Sequence, residues 1–177
     1  MGKTDIERQH VNVEKMKMLG AKVEAVTSGS MTLSDAVDAA IDDWSRNSAD
    51  TFYIIGSTVG PHPYPDLVAR LQSIISEETK KQLPMHEGRD YPDYLIACIG
   101  GGSNSIGTFV PFLDSAVELY GVEPLGKGAK LGDHAASMMF GEPGIMQGFN
   151  SIMLKDENGE PGPVYSVASG LDYPSVG

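Results

Sequence analysis

The fold class is indicated by residues 94–104, which read Tyr94-Leu95-Ile96-Ala97-Cys98-Ile99-Gly100-Gly101-Gly102-Ser103-Asn104. Its opening part, 94–99, is an uninterrupted apolar run, which is typical of a strand buried on both faces in the middle of a sheet. Three glycines follow, and a helix is predicted to begin near Ser103. A strand, a glycine turn and a helix in this order indicate a parallel sheet covered by helices.

The glycine loop is a candidate anion site. Because Gly100, Gly101 and Gly102 have no Cβ atom, their backbone N–H groups can converge on a ligand, and the following helix adds partial positive charge. Ser103 and Asn104 can add a hydroxyl and an amide donor. The loop has neither the lysine of a P-loop nor the G-x-G-x-x-G spacing of a dinucleotide site. The sequence therefore favours a phosphate group over a nucleotide, with a tight structural turn as the alternative.

Helices and strands are predicted to alternate on both sides of this loop. Apolar spacing, capping residues and turn residues give the assignment. Helices are predicted over about residues 5–19, 33–44, 65–83, 103 onward and 134–140, strands over 21–26, 51–55, 94–99 and 117–123, and a hairpin at 156–159. The pattern indicates an α/β fold with a largely parallel sheet flanked by helices.

Composition narrows the function classes. The chain has 24 acidic and 13 basic residues, a net charge of −11, which repels nucleic acid and anionic lipid, so neither a nucleic-acid partner nor a membrane is expected. Its single cysteine, Cys98, allows no intrachain disulfide, and no targeting leader is evident, so a cytoplasmic location is predicted. Cys98 and His134 are expected to be a buried thiol and a structural histidine.

Four segments carry a family resemblance. They are residues 5–9 (DIERQ), 60–65 (GPHPYP), 100–104 (GGGSN) and 170–177 (GLDYPSVG). In this order and separation they resemble the tryptophan synthase beta chain, a type II pyridoxal-phosphate-dependent enzyme family. The similarity runs from end to end of these 177 residues. It implies an internal fragment of a longer chain with part of the type II fold, in which two α/β lobes enclose the cofactor.

The resemblance assigns site residues. It implies that Gly100, Gly101, Gly102, Ser103 and Asn104 grip the phosphate of pyridoxal phosphate.

A sixth cofactor-binding residue, Ser57, is implied near the same end of the cofactor. Arg8 and Asp172 are implied to form an ion pair that closes a mobile lobe over the substrate. That communication-like lobe is expected to comprise residues 1–56, and 57–177 to be part of the cofactor-binding domain.

The family's monovalent-cation site is implied at the backbone carbonyls of Gly100, Tyr173 and Ser175. The implied partners are the tryptophan synthase alpha chain and a second beta chain. Ser34 departs from the lysine that many family members place against the alpha chain, and the order of residues 167–170 also departs from the family pattern.

The implied reaction is replacement of the hydroxyl of L-serine by indole, which gives L-tryptophan. The family's Schiff-base lysine belongs to a His-Lys pair upstream of this chain's first residue, and no His-Lys pair occurs here. No catalytic residue is therefore predicted, and the isolated chain is expected to be inactive.

Two other functions stay open on the sequence. One is a standalone phosphate-binding or cofactor-binding module, or a noncatalytic partner of the alpha chain. The other is a related type II enzyme, such as an amino-acid dehydratase. A fragment that lacks sheet strands is also expected to expose apolar surface and to self-associate.

Overall fold

The fold, taken from a computed structural model, is described for residues 1–54 and 56–177. Helices and strands alternate through the central part of the chain. The α-helices are α1 (Lys3–Arg8), α2 (His10–Met18), α3 (Leu33–Arg46), α4 (Tyr64–Gln72), α5 (Ile74–Glu87), α6 (Ser103–Phe109) and α7 (Ser137–Phe140). The strands are β1 (Tyr94–Cys98), β2 (Glu118–Val122), β3 (Glu142–Met146), β4 (Phe149–Met153) and β5 (Ser175–Val176), and 3₁₀ turns span Val110–Phe112 and Ser169–Leu171. The α/β class is confirmed.

The parallel pair β1 and β2 carries the glycine loop. Tyr94 pairs with Glu118 and Cys98 with Val122, and α6 leaves the end of β1 directly after the loop. Helices α4 and α5 pack on α6, where Ser76 Oγ donates a buried 2.7 Å hydrogen bond to the carbonyl of Gly107. The strand-loop-helix unit is thus fixed by neighbours on its helical side.

A second sheet is antiparallel in the order β3-β4-β5. β3 and β4 form a hairpin whose two-residue turn is Gln147 and Gly148, both with positive φ. This sheet contributes to a core of five buried side chains, against which Leu33 of α3 packs. The five are Val59, Met146, Phe149, Met153 and Tyr173.

Helix α3 begins as the sequence predicts, with a capping box between Thr32 and Asp35. Its apolar face is incompletely covered, since no residue of α3 is fully buried.

The predicted helix over residues 5–19 is two helices, because the helix is interrupted at Gln9, between α1 and α2.

Two predicted strands do not form. Residues 21–25 carry no strand, and Val26 makes only an isolated bridge, to Gly2. Residues 51–54 carry no strand, and Ile55, the last residue of that prediction, lies outside the described residues. A short apolar run predicts an extended backbone. A strand forms only if another strand lies beside it to share hydrogen bonds, and the local pattern does not show whether one does.

The predictions of burial for β1 and Cys98 were wrong. Alternate residues of β1 are exposed, with Ile96 at 69%, and the thiol of Cys98 is exposed. This face has no covering layer among the described residues, so the apolar run alone misjudged its surroundings. His134 is 2% exposed, as expected of a structural histidine.

Three other predicted elements differ in detail. The helix over 65–83 is interrupted at Ser73, between α4 and α5. The helix over 134–140 is limited to α7, and the predicted hairpin at 156–159 is a tight turn closed by a single bridge between Lys155 and Pro161.

None of the described helices is long and apolar enough to cross a membrane.

The contact between α6 and the α4–α5 junction predicts a stability effect. A Cβ at Gly107 would lie 2.5 Å from the carbonyl oxygen of Gln72. Gly107→Ala should therefore lower the free energy of unfolding by about 1–3 kcal/mol through overpacking, measured by urea denaturation. In Gly56→Ala, the added methyl meets nothing within 4 Å, so no loss is expected. Equal losses in both variants would contradict the packing argument.

The uncovered face of β1 and β2 predicts self-association. Ile96 and Val122 are 69% and 51% exposed on that face. Light scattering of the 177-residue chain should show oligomers, and Ile96→Thr combined with Val122→Thr should shift them toward monomer while keeping β propensity. The control removes two even more exposed apolar side chains elsewhere, in Met18→Thr with Leu19→Thr. A monodisperse monomer of the parent chain would count against the prediction.

Candidate functional site

The glycine loop is a cradle that side chains would fill. A Cβ at Gly100 would lie 2.8 Å from Cδ2 of Leu171, and a Cβ at Gly101 would collide with the hydroxyl of Ser57. Gly102 has a φ of +109°, and a Cβ there would lie 2.5 Å from Oγ1 of Thr58. A side chain at any of the three positions would therefore displace a neighbouring side chain, and at Gly102 it would also strain the backbone.

Two distant segments hold the loop in place. Thr58 Oγ1 donates a 2.5 Å hydrogen bond to the carbonyl of Gly101, and the N–H of Gly177 donates to the same carbonyl at 3.1 Å. Ser57, beside Gly101, accepts a hydrogen bond from the N–H of Val59 on its hydroxyl. Because the carbonyl of Gly101 is occupied in this way, the loop has a fixed shape before any ligand arrives.

The first turn of α6 offers backbone donors. The N–H groups of Ser103, Asn104 and Ser105 donate to no other described residue, as expected for the first residues of a helix. The side-chain amide of Asn104 donates instead to the carbonyl and the sulfur of Cys98, at 3.1 and 3.3 Å. The donors and the side-chain-free cradle fit a phosphate group, with the amide of Asn104 holding the loop to the end of β1.

An apolar pocket of about 480 Å³ opens beside the loop. Ser57, Gly101 and Ser103 form its polar end. The rest of the wall is mostly apolar and includes one face of α3; these residues are Leu33, Val37, Ile41, Trp44, Tyr53, Phe149 and Tyr173. The site therefore combines an anion cradle with space for an apolar group.

Arg8 and Asp172 come together although 164 positions separate them. Arg8 Nη1 donates to Asp172 Oδ2 at 3.0 Å, with side chains 31% and 5% exposed. Asp172 Oδ1 also accepts from the N–H of Ser166, and Asp5 lies 3.5 Å from Arg8. The pair thus joins α1 to the C-terminal loop.

For both Asp172 and Arg8, burial and ion pairing shift the pKa in opposite directions. Burial raises the pKa of Asp172, and the nearby Arg8 offsets only part of this rise. The hydrogen bond to Asp172 raises the pKa of Arg8, which stays charged. The guanidinium of Arg8 therefore favours the ionised form of a carboxylate that burial disfavours.

The predicted cation site stays a prediction. Gly100 lies against the 170–171 segment, and Tyr173 and Ser175 are both buried. Among the described residues, no group of three His, Cys, Asp or Glu side chains could hold a metal ion. A cation held only by carbonyl oxygens leaves no signal in side-chain identity.

Two residues at the site, Thr58 and Gln147, were not identified from the sequence. Thr58 ties the loop, and its only signal was its place after Ser57. Gln147 accepts a 2.7 Å hydrogen bond from the hydroxyl of Tyr173 and donates one of 2.7 Å to Asp38 of α3. The only sequence feature that points to Gln147 is the following Gly148. A glycine there favours a turn but does not indicate where the side chain of Gln147 lies.

Comparison with known proteins identifies close relatives. A protein of Bacteroides fragilis named tryptophan synthase beta chain is 59% identical over 178 aligned positions, which cover the whole of this chain and 46% of that protein. Proteins of the same name from Phocaeicola vulgatus and Clostridium botulinum are 58% and 56% identical over the whole chain, covering 45% and 44% of their own lengths. No family model matches the chain.

The match therefore covers the whole of this chain but less than half of each relative. This chain spans about 45% of the length of the curated relatives it matches. The glycine cradle, the ion pair and the loop from Gly170 to Gly177 lie within the shared region, since the match includes every residue of this chain. Over all 177 residues, the chain belongs to the tryptophan synthase beta chain family.

Proposed function

We propose that this chain supplies the phosphate site and the substrate-closing lobe of a pyridoxal-phosphate-dependent enzyme that makes L-tryptophan from L-serine and indole. The observation that carries the proposal is the glycine cradle, whose fixed shape and free backbone donors suit a phosphate monoester. The relatives' shared name supports tryptophan formation over dehydration of an amino acid or a noncatalytic module.

The chain's own residues have defined parts in this proposal. The N–H groups of Ser103 and Asn104 bind the phosphate, and Thr58 keeps the loop in its binding shape. When bound, pyridoxal phosphate supplies an electron sink that lets the serine side chain be replaced. The apolar wall from α3 excludes water and accepts the indole ring.

The chain supplies only part of the chemistry. None of the residues lining the pocket in the described structure is a lysine, so no amine is at hand to hold the cofactor covalently. This supports the proposal that the isolated chain forms no tryptophan.

The lobe and its partners complete the proposal. Residues 1–56 form a lobe that the pair of Arg8 and Asp172 holds closed, and residues 57–177 belong to the cofactor-binding domain. The alpha chain and a second beta chain are the proposed partners, and a monovalent cation binds at the carbonyls of Gly100, Tyr173 and Ser175. A cytoplasmic location follows from the proposed biosynthetic role.

A chimaera tests the whole function. These 177 residues would replace the matching segment of the Bacteroides fragilis relative, which is 59% identical. The chimaera should form tryptophan from serine and indole, whereas the isolated chain with added pyridoxal phosphate should not. Serine deamination without tryptophan would favour the dehydratase, and a folded but inert chimaera would contradict the proposal.

The cradle itself gives a binding prediction. In the isolated chain, Gly102→Ala should weaken binding of pyridoxal phosphate by at least about tenfold, because the methyl collides with Thr58 and φ is +109°. Fluorescence or absorbance titration measures the effect. Gly20→Ala, which also has a positive φ but meets nothing within 4 Å, is the control for backbone strain. Equal binding of pyridoxal, which lacks the phosphate, would contradict a phosphate cradle.

The ion pair gives a pH-dependent stability prediction. Arg8→Met leaves a buried carboxylate without its cation, which should cost about 1–3 kcal/mol near pH 7. The pKa of Asp172, already raised by burial, rises further in the variant. The loss should therefore shrink as pH falls through this raised value, because a protonated Asp172 needs no cation.

Thermal unfolding across the acidic range measures this effect. Arg46→Met removes an exposed pair with Asp42 and should change stability little at any pH. A loss in Arg8→Met that is the same at every pH would show that Asp172 is not the group responsible.

A further inference from the structure

Gln147 occupies a backbone position that disfavours it. It is the first residue of the two-residue turn between β3 and β4, with φ of +51°, and Gly148 follows at +85°. Turns of this kind usually take Gly, Asn or Asp, because a Cβ atom is strained in the left-handed region and only the short polar side chains of Asn and Asp offset this strain by local hydrogen bonds. A glutamine at this position indicates that its side chain has a use.

The side chain of Gln147 bridges two parts of the site. Its Oε1 accepts from the hydroxyl of Tyr173 at 2.7 Å, and its Nε2 donates to Asp38 Oδ1 at 2.7 Å. A weaker contact of 3.4 Å joins Nε2 to the carbonyl of Ser34. The bridge runs from the buried Tyr173 to the exposed Asp38 on α3.

The chemistry of the two partners fixes the orientation of the amide. The carboxylate of Asp38 can only accept, so it must face the NH₂ group. Burial raises the pKa of Tyr173, which therefore keeps its proton and donates it to Oε1. Both hydrogen bonds form only in this orientation.

Helix α3 has few other attachments. None of its residues is fully buried, and Leu33 at its start is its contact with the buried core. Val37 and Ile41 of α3 form part of the pocket wall, as does Gln147. The position of that wall therefore depends on what fastens α3 beyond Leu33.

We propose that Gln147 is a positioning residue that latches α3 to Tyr173 and so sets the position of the apolar pocket wall. This contact is separate from the pair of Arg8 and Asp172, which fastens α1. Its role in substrate closure rests on the proposed function, but the latch itself is a property of the chain without any ligand. Because the contact with Asp38 is at the surface, its loss should loosen α3 locally and leave global stability nearly unchanged.

The test first removes the hydrogen bond between residues 147 and 38 and then restores it with donor and acceptor reversed. Gln147→Glu places a carboxylate against Asp38, which removes the donor and adds repulsion. Combining it with Asp38→Asn restores a donor and an acceptor in reversed order, and the new carboxylate still accepts from Tyr173. Gln82→Glu on an exposed position of α5 makes the same charge change away from the latch.

Trp44 reports on α3, since it is the only tryptophan in the chain and lies on this helix. In the 177-residue chain without cofactor, Gln147→Glu should raise acrylamide quenching of Trp44 by about twofold and lower hydrogen-exchange protection across α3 by about tenfold. The double variant should return both values close to those of the parent, and Gln82→Glu should leave them unchanged.

Two results would overturn the latch. One is a Gln147→Glu variant that matches Gln82→Glu, and the other is a double variant that stays as loose as the single one. If Gln147→Glu does not fold, Gln147→Asn tests the same point, because asparagine suits the turn but is too short to reach Asp38; unchanged Trp44 quenching there would also overturn it. Failure to bind pyridoxal phosphate with the latch intact would contradict only the proposed function.

Discussion

The close approach of three chain segments at the glycine loop is the constraint on which the site depends. Residues 57–59, the loop itself and the C-terminal residues approach one another closely because Gly100, Gly101 and Gly102 have no side chains. The carbonyl of Gly101 then takes hydrogen bonds from both neighbouring segments, from Thr58 and from Gly177. The loop is rigid for this reason, and its outward N–H groups are left for a ligand.

The N-terminal helices are attached by polar contacts more than by a shared core. Arg8 reaches a carboxylate that burial would otherwise favour in its neutral form. Helix α3 covers the pocket with a half-buried apolar face, and Gln147 connects it to the buried Tyr173. Contacts of this kind are directional and can be released without exposing a large apolar area, which suits the proposed closure of these helices over a substrate.

The two sheets have different roles in this arrangement. The parallel pair β1 and β2 positions the loop and α6 beside the pocket. The antiparallel hairpin β3–β4 contains Gln147 and part of the buried core. The outer face of the parallel pair is apolar and uncovered among the described residues. Relatives more than twice as long share this region, and a longer chain has material to cover such a face.

The features that local chemistry controls could be predicted from the sequence alone. The strand before the loop, the glycine cradle, the capping box of α3 and the β2 strand all follow from short-range patterns, and four short motifs were enough to identify the family. The pairing of Arg8 with Asp172 came from the family resemblance, because nothing local relates two residues 164 positions apart.

The partners that these elements contact depend on how the whole chain folds. The break at Gln9, the unpaired 21–26 segment and the exposure of Cys98 depend on neighbours that a local pattern does not specify. The hydrogen bonds of Thr58 and Gln147 are of the same kind, since each joins residues more than 20 positions apart. Backbone preference acts within a few residues, whereas burial and side-chain pairing depend on what the folded chain brings alongside.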